Sequence, residues 1–132
     1  MDILLFGKDN SVTDTLESML ASVDEWNIIR TLSLSHNENN IQDRDHNAAY
    51  KVIVANLFEF STSPKKLTQK ITSRFTDLPI LILYSYSHDF LISPLIKMGA
   101  TGYLQIGTSE EKLLEAVKTV AHNQKYIGVV NT

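Results

Sequence analysis

Three runs of four apolar residues, Ile3-Leu4-Leu5-Phe6, Val52-Ile53-Val54-Ala55 and Ile80-Leu81-Ile82-Leu83, constrain this chain more than any other feature. Four residues make barely one helical turn, and large aliphatic or β-branched side chains suit strands. None of the runs alternates apolar with polar, so none offers a face to water. Such runs read as central strands of a parallel sheet covered on both sides. In a sheet of that kind the working site lies just past the carboxyl ends of the strands. Here those ends are Gly7-Lys8-Asp9, Asn56 and Tyr84-Ser85.

The segments between the runs carry helical periodicity. After the first strand, Asp9, Asn10 or Ser11 can cap a helix whose apolar positions Val12, Leu16, Met19, Leu20 and Val23 share one face. Trp26 to Leu34 reads as a second strand, less apolar and so at an edge. His36 to Tyr50 is polar, and predicts a short, weakly held helix or a loop. Pro64 suits a first helical turn with Ser61, Thr62 or Ser63 as cap, followed by a stripe of Leu67, Ile71, Phe75 and Leu78.

Phe90 to Met98 is apolar nearly all round, with Pro94 expected to kink it or displace its start, and Gly99 ends it. Thr101 to Ile106 is a fifth strand. Thr108-Ser109-Glu110-Glu111 reads as a capping box, with Thr108 and Glu111 satisfying each other's free amides. The helix it opens carries Leu113, Leu114, Val117, Val120 and Ala121 on one face. The tail from Gln124 to Thr132 reads as frayed. Strand and helix thus alternate five times, which predicts an α/β fold, a doubly wound five-stranded parallel sheet of order 2-1-3-4-5. The expected domain covers residues 1–127, with 128–132 the start of a linker or a frayed tail.

Composition removes several classes of function. The 132 residues suit one domain with its own core. There is no cysteine, hence no disulfide, thiolate metal site or thiol nucleophile. No N-terminal signal is evident, and no apolar stretch approaches the roughly 20 residues that span a membrane. A formal charge of −3 lacks the basic footprint of a nucleic-acid-binding domain. A cytoplasmic domain without membrane contact is expected.

The strand ends are equally restrictive. A nucleotide or flavin site needs a glycine-rich turn that lets backbone amides approach phosphate. Gly7-Lys8-Asp9-Asn10-Ser11 has one glycine, and neither GxGxxG nor GxxxxGK[ST] occurs. Metal chemistry needs convergent carboxylates or histidines, yet only Asp9 is acidic at these ends and the four histidines are scattered. Ser85 lacks the glycines of a nucleophile elbow. No enzyme activity, cofactor or metal is therefore expected.

The segments ILLFGKDN, YKVIVANL, LPILILYSY and MGATGYLQIGTSEEKLLEAVKTVAHNQKYI resemble the receiver domains of bacterial two-component response regulators, in particular those preceding a LuxR-type helix-turn-helix. The resemblance implies the flavodoxin-like receiver fold. In that family, phosphorylation uses two acidic residues after the first strand to hold Mg²⁺. It also uses an aspartate ending the third strand, a Ser or Thr ending the fourth and a lysine ending the fifth. Carried over by position, the acidic pair falls on Gly7 and Lys8, the phospho-accepting aspartate on Asn56, the hydroxyl on Tyr84 and the lysine on Ile106. A carboxamide is a poor nucleophile, an ammonium repels Mg²⁺, and Ile106 cannot pair with a phosphoryl oxygen. The expectation is a pseudo-receiver.

Lys8, Asp9, Asn56 and Ser85 are the candidate polar contacts of the crevice. Either the Lys8 ammonium bonds Asn56 in place of the metal, or Lys8 is solvated and Asn56 bonds nearby backbone. Tyr84 is either a lid over the phosphate space or a packed aromatic. Tyr103 matches the family's switch aromatic, as static core or as interface. The helix over 90–98 holds more apolar residues than one stripe accommodates, so Phe90 with Leu91 or Ile92, beside Tyr86, forms a candidate interface. Family receivers dimerise through that helix with the fifth strand and last helix, or through the first and last helices. The functional expectation is the N-terminal regulatory part of a LuxR-type transcription factor. It would form a homodimer or contact a partner protein, and would reach DNA only through a C-terminal domain. A stand-alone signalling adaptor and a small-molecule sensor using the crevice are the other readings.

Overall fold

The computed structural model describes residues 1–31 and 50–130. The segment expected as a helix or loop, from 36 to 49, and the end of the second strand at Leu34 lie outside the described residues. The elements run β1 (Asp2–Phe6), α1 (Ser11–Ala21), β2 (Asn27–Thr31), β3 (Tyr50–Asn56), α2 (Pro64–Arg74) and β4 (Ile80–Tyr84). They continue with α3 (Asp89–Lys97), β5 (Gly102–Gln105), α4 (Glu110–Ala121) and β6 (Tyr126–Gly128). The strands form one sheet of order β2-β1-β3-β4-β5-β6, every neighbouring pair parallel. The doubly wound order 2-1-3-4-5 is present as expected, and β6 extends it.

Alternate residues of the central strands feed two cores. Ile3, Leu5, Val52, Val54, Leu81, Leu83 and Leu104 pack under α1 and α4, against Leu16, Leu20, Leu113, Val117 and Val120. Leu4, Phe6, Ile53, Ala55, Ile80, Ile82 and Tyr103 pack under α2 and α3, against Leu67, Ile71, Ile92 and Leu95. Runs without alternation are thus explained: both faces of each strand are buried.

Local signals set most helix ends. The Asn10 side chain accepts from the Thr13 amide, and that of Ser63 from the Lys66 amide ahead of Pro64. After α3, Gly99 at φ 124° donates to the Ile96 carbonyl and Ala100 to that of Leu95, a Schellman closure that favours glycine. Pro94 lies inside α3 and has no N–H for the Phe90 carbonyl, but the helix continues through it and starts one residue earlier than expected.

Two expectations are corrected. The last helix is capped by Ser109, whose Oγ accepts from the Lys112 amide, not by Thr108. With Lys112 at the third helical position the reciprocal carboxylate bond is lost, and Glu110 and Glu111 instead favour the first turn through the helix dipole. The tail is not frayed from Gln124, because Tyr126–Gly128 pairs with β5 and the Val130 amide donates to Gln105 Oε1 at 2.8 Å.

Candidate functional site

The carboxyl ends of β1, β3, β4 and β5 meet as the strand order requires, and the side chains there sort into a polar group and an apolar one. The polar group centres on Asn56, fully buried at the end of β3. Its Nδ2 donates to Thr13 Oγ1 at 3.2 Å, and its Oδ1 accepts from the Phe58 amide at 3.2 Å. Thr13, also fully buried, donates its hydroxyl to Asn10 Oδ1, while Asn10 Nδ2 donates to Glu59 Oε1 at 3.0 Å. Glu59 holds the left-handed backbone at φ 71°, so this chain of bonds also pins the turn after β3. Both ends of the Asn56 amide are occupied, and Thr13, not Lys8, is its side-chain partner.

Thr13 was not picked out by sequence reasoning. The available signal was a hydroxyl on the inward side of an amphipathic helix, one position from the apolar stripe. Its placement also explains Gly7: a Cβ there would stand 2.9 Å from Thr13 Oγ1, 3.1 Å from Thr13 Cγ2 and 3.3 Å from Asn56 Cβ. Larger side chains at position 7 have no room.

The charged residues turn elsewhere. Lys8 places its ammonium 5.5 Å from the centre of the Phe60 ring, a cation–π contact, and Phe60 stacks on Phe6 at 5.0 Å. Asp9, expected in the crevice, instead pairs at 3.2 Å with Arg30, which also holds Asp14 at 2.7 Å and Glu17 at 3.0 Å. The hydrogen bond that Arg30 donates to Asp14 raises the Arg30 pKa, against desolvation and with help from Glu17, and the guanidinium draws these carboxylates to the outer surface of α1. Ser85 is exposed. A hard divalent cation needs several convergent oxygens, and the side chains at these strand ends do not supply them. Among the described residues no group of three or more His, Asp or Glu side chains could hold a metal ion.

The apolar group lies at β4 and β5. Tyr84 packs edge-on against Phe58 at 6.4 Å and Tyr86 at 4.8 Å. Beneath it Tyr103 is fully buried, its phenol hydrogen shared between the carbonyls of Tyr84 at 2.9 Å and Tyr86 at 2.6 Å. Burial pushes the Tyr103 phenol well above its ordinary range. Ile106, just past β5, donates its amide to the Tyr84 carbonyl and faces a cleft between α1 and α4.

The expected interface divides. Phe90 is 73% exposed and stacks beside His88 at 5.8 Å, and Leu91 and Tyr86 are half-buried. Ile92 and Tyr103, in contrast, belong to the core and cannot contribute surface. Ile92 and Leu95 share the inward stripe of α3, and Phe90, two residues before Ile92, falls on the opposite side.

This sheet order, with helices on both faces, is that of the flavodoxin-like folds, to which receiver domains belong. A LuxR-family two-component response regulator from Aurantimonas sp. SI85-9A1 superposes with a TM-score of 0.75 at 13% identity, over 95% of this chain and 87% of that one. In sequence, the chain is 35% identical over 62 residues to the oxygen regulatory protein NreC of Staphylococcus epidermidis, covering 47% of this chain and 28% of NreC. It is 33% identical over 60 residues to the transcriptional regulatory protein DegU of Brevibacillus brevis, covering 46% of this chain and 25% of DegU. No protein-family model matches. The chain thus has the receiver fold and, over about half of its length, is similar in sequence to the regulatory proteins NreC and DegU, of which it matches about a quarter of the length. Among the described residues no helix is long and apolar enough to cross a membrane.

Proposed function

We propose that this receiver domain signals without being phosphorylated. It serves as the cytoplasmic, N-terminal regulatory part of a LuxR-type transcription factor, acting through contact with a second copy or a partner protein. The observation that carries this reading is Asn56. The resemblance assigns the phospho-accepting aspartate to that position, and the carboxamide there is both non-nucleophilic and committed at both ends to Thr13 and the Phe58 amide. The assigned metal positions support it: Gly7 has no space for a carboxylate beside Thr13, and Lys8 carries a cation. Tyr84 and Ile106 stand where a hydroxyl and a lysine would receive the phosphoryl oxygens. DNA contact would belong to a further domain of the kind that LuxR-type regulators carry. The protein contact would use the outer side of α3, where Phe90 is exposed beside Tyr86 and Leu91.

Intact-mass measurement after incubation with acetyl phosphate and Mg²⁺ tests the reading. No adduct is expected on the wild-type chain or on Asn56→Asp, since the second lacks metal ligands and the lysine. A stoichiometric, Mg²⁺-dependent adduct on the wild type would overturn it.

A further inference from the structure

The cleft beside the crevice is a feature that this reading leaves without a role. It has a volume of about 300 Å³ and lies between α1, the β5–α4 connection and the start of α4. Its floor is core: Leu83, Leu104 and Leu113, each at most 2% exposed, form its inner wall with Leu16. A pit that reaches core residues differs from a shallow surface groove. None of its lining residues is charged.

Its outer wall is built from the apolar side of the crevice. Ile106 and Phe58 both border it, so the two non-polar residues after β5 and β3 face one space. At the mouth is Gly107, where an added Cβ would meet nothing within 4 Å, so no side chain closes the entrance there. The polar groups at the rim are mostly occupied. Gln105 Oε1 accepts from the Val130 amide, and the Thr15 hydroxyl donates to the Ser11 carbonyl. Among the described residues the Thr108 hydroxyl has no hydrogen-bond partner.

We propose that this cleft binds a compact, uncharged, largely apolar small molecule, with Thr108 offering it one hydrogen bond. Apolar cavities stay dry and accept apolar guests, and in open α/β sheets ligands enter past the carboxyl ends of the strands. The volume is at the lower end of the ~300–1,000 Å³ range of small-molecule pockets, enough for a ring system and too little for a dinucleotide. The absence of charge on the lining excludes phosphorylated or ionic ligands. Phe58 then connects occupancy to the receiver: its amide donates to Asn56 and its ring packs edge-on against Tyr84. A guest pressing on Phe58 would act on the same two positions that a phosphoryl group would engage in a phosphorylated receiver.

The ligand proposal rests on the reading of a domain that takes no phosphoryl group, and its test is separate. Methyl NMR spectra of the chain are titrated with indole, which is uncharged and carries one N–H. Saturable changes centred on Leu16, Leu83, Leu104 and Ile106 are expected. Affinity should fall about tenfold or more in Ile106→Lys, which introduces a charge, and in Met19→Trp, which fills the cleft. Absence of saturation in the wild type overturns the proposal, as does equal affinity in a folded variant. If the same methyls instead respond to protein concentration without indole, a second copy fills the cleft and the small-molecule assignment fails. None of these outcomes depends on acetyl phosphate, whose adduct would remove the phosphorylation-independent reading and leave the binding result standing.

Discussion

Between β1 and β3 the crevice is filled by hydrogen bonds; at the ends of β4 and β5 it is filled by carbon. In the first half Asn10, Thr13, Asn56 and Glu59 form a chain in which each member satisfies the next. In the second, Phe58, Tyr84 and Tyr86 meet edge to face over the buried Tyr103, and Ile106 borders an apolar cleft. The difference matters because hydrogen bonds are directional and leave a penalty when one member is removed. Contacts between carbon surfaces are non-directional and tolerate exchange more readily. The polar half should therefore resist change, while the apolar half accepts it. Rigidity on one side and adaptability on the other would let a receiver keep its fold while altering what it presents.

The strongest way to break the polar half is Gly7→Asp, which places a carboxylate where the resemblance expects one. Its Cβ would overlap Thr13, and its charge would have no partner in a buried site. Overpacking and an unpaired charge together should cost about 3 kcal/mol. Adding Thr13→Ala removes the overlapping atoms, and should return part of that loss despite breaking the bond to Asn56. Urea unfolding of the two variants measures both effects. If Gly7→Asp alone were neutral, the packed description of this half would be wrong.

Tyr103 sharpens the comparison, because it is the polar point beneath the apolar half. In Tyr103→Phe the Tyr84 carbonyl keeps the Ile106 amide, but the Tyr86 carbonyl loses a bond, for a cost of about 1 kcal/mol. The pH dependence follows from the raised phenol. The folded state holds its proton above the pH at which the unfolded phenol, near pKa ~10, releases it. Stability from this group is thus fully present below pH ~10. It should be lost above that at up to about 1.4 kcal/mol per pH unit. Unfolding curves between pH 9 and 11, as an approximate window around that ordinary value, should show this slope in the wild type and a shallower one in Tyr103→Phe. Equal slopes would mean that the phenol is not shielded.

How much of this was legible in sequence depended on the range of the cause. The buried strands announced themselves because Ile3–Phe6, Val52–Ala55 and Ile80–Leu83 are covered on both faces. The caps at Asn10 and Ser63 are local and were within the candidates named. Thr13 was not legible: its hydroxyl matters only because Asn56, 43 positions away, is brought against it by β1–β3 pairing. The short β6 also escaped, since its placement comes from pairing with β5 and from the bond of Val130 to Gln105. On α3, composition showed an excess of apolar residues, but only packing could choose Ile92 for the core and Phe90 for the surface. The Asp9 orientation was likewise set by Arg30, from the neighbouring strand.

The smallest expected effect belongs to Ile106→Lys, which restores in the apolar half the residue that the resemblance assigns there. Ile106 is only half-buried, and its backbone bond to Tyr84 does not depend on its side chain. A lysine can run its methylenes along the cleft wall and leave its ammonium in water. The expected change in stability is therefore within about 0.5 kcal/mol, as for an ordinary surface substitution. The contrast with Gly7→Asp is the point of the measurement: two substitutions toward the same family pattern, one costly and one nearly free, according to which half receives them. If Ile106→Lys destabilised the chain as much as Gly7→Asp, the apolar half would be as tightly specified as the polar one. In that case the cleft would be a packing requirement of the fold and could not adapt to a guest.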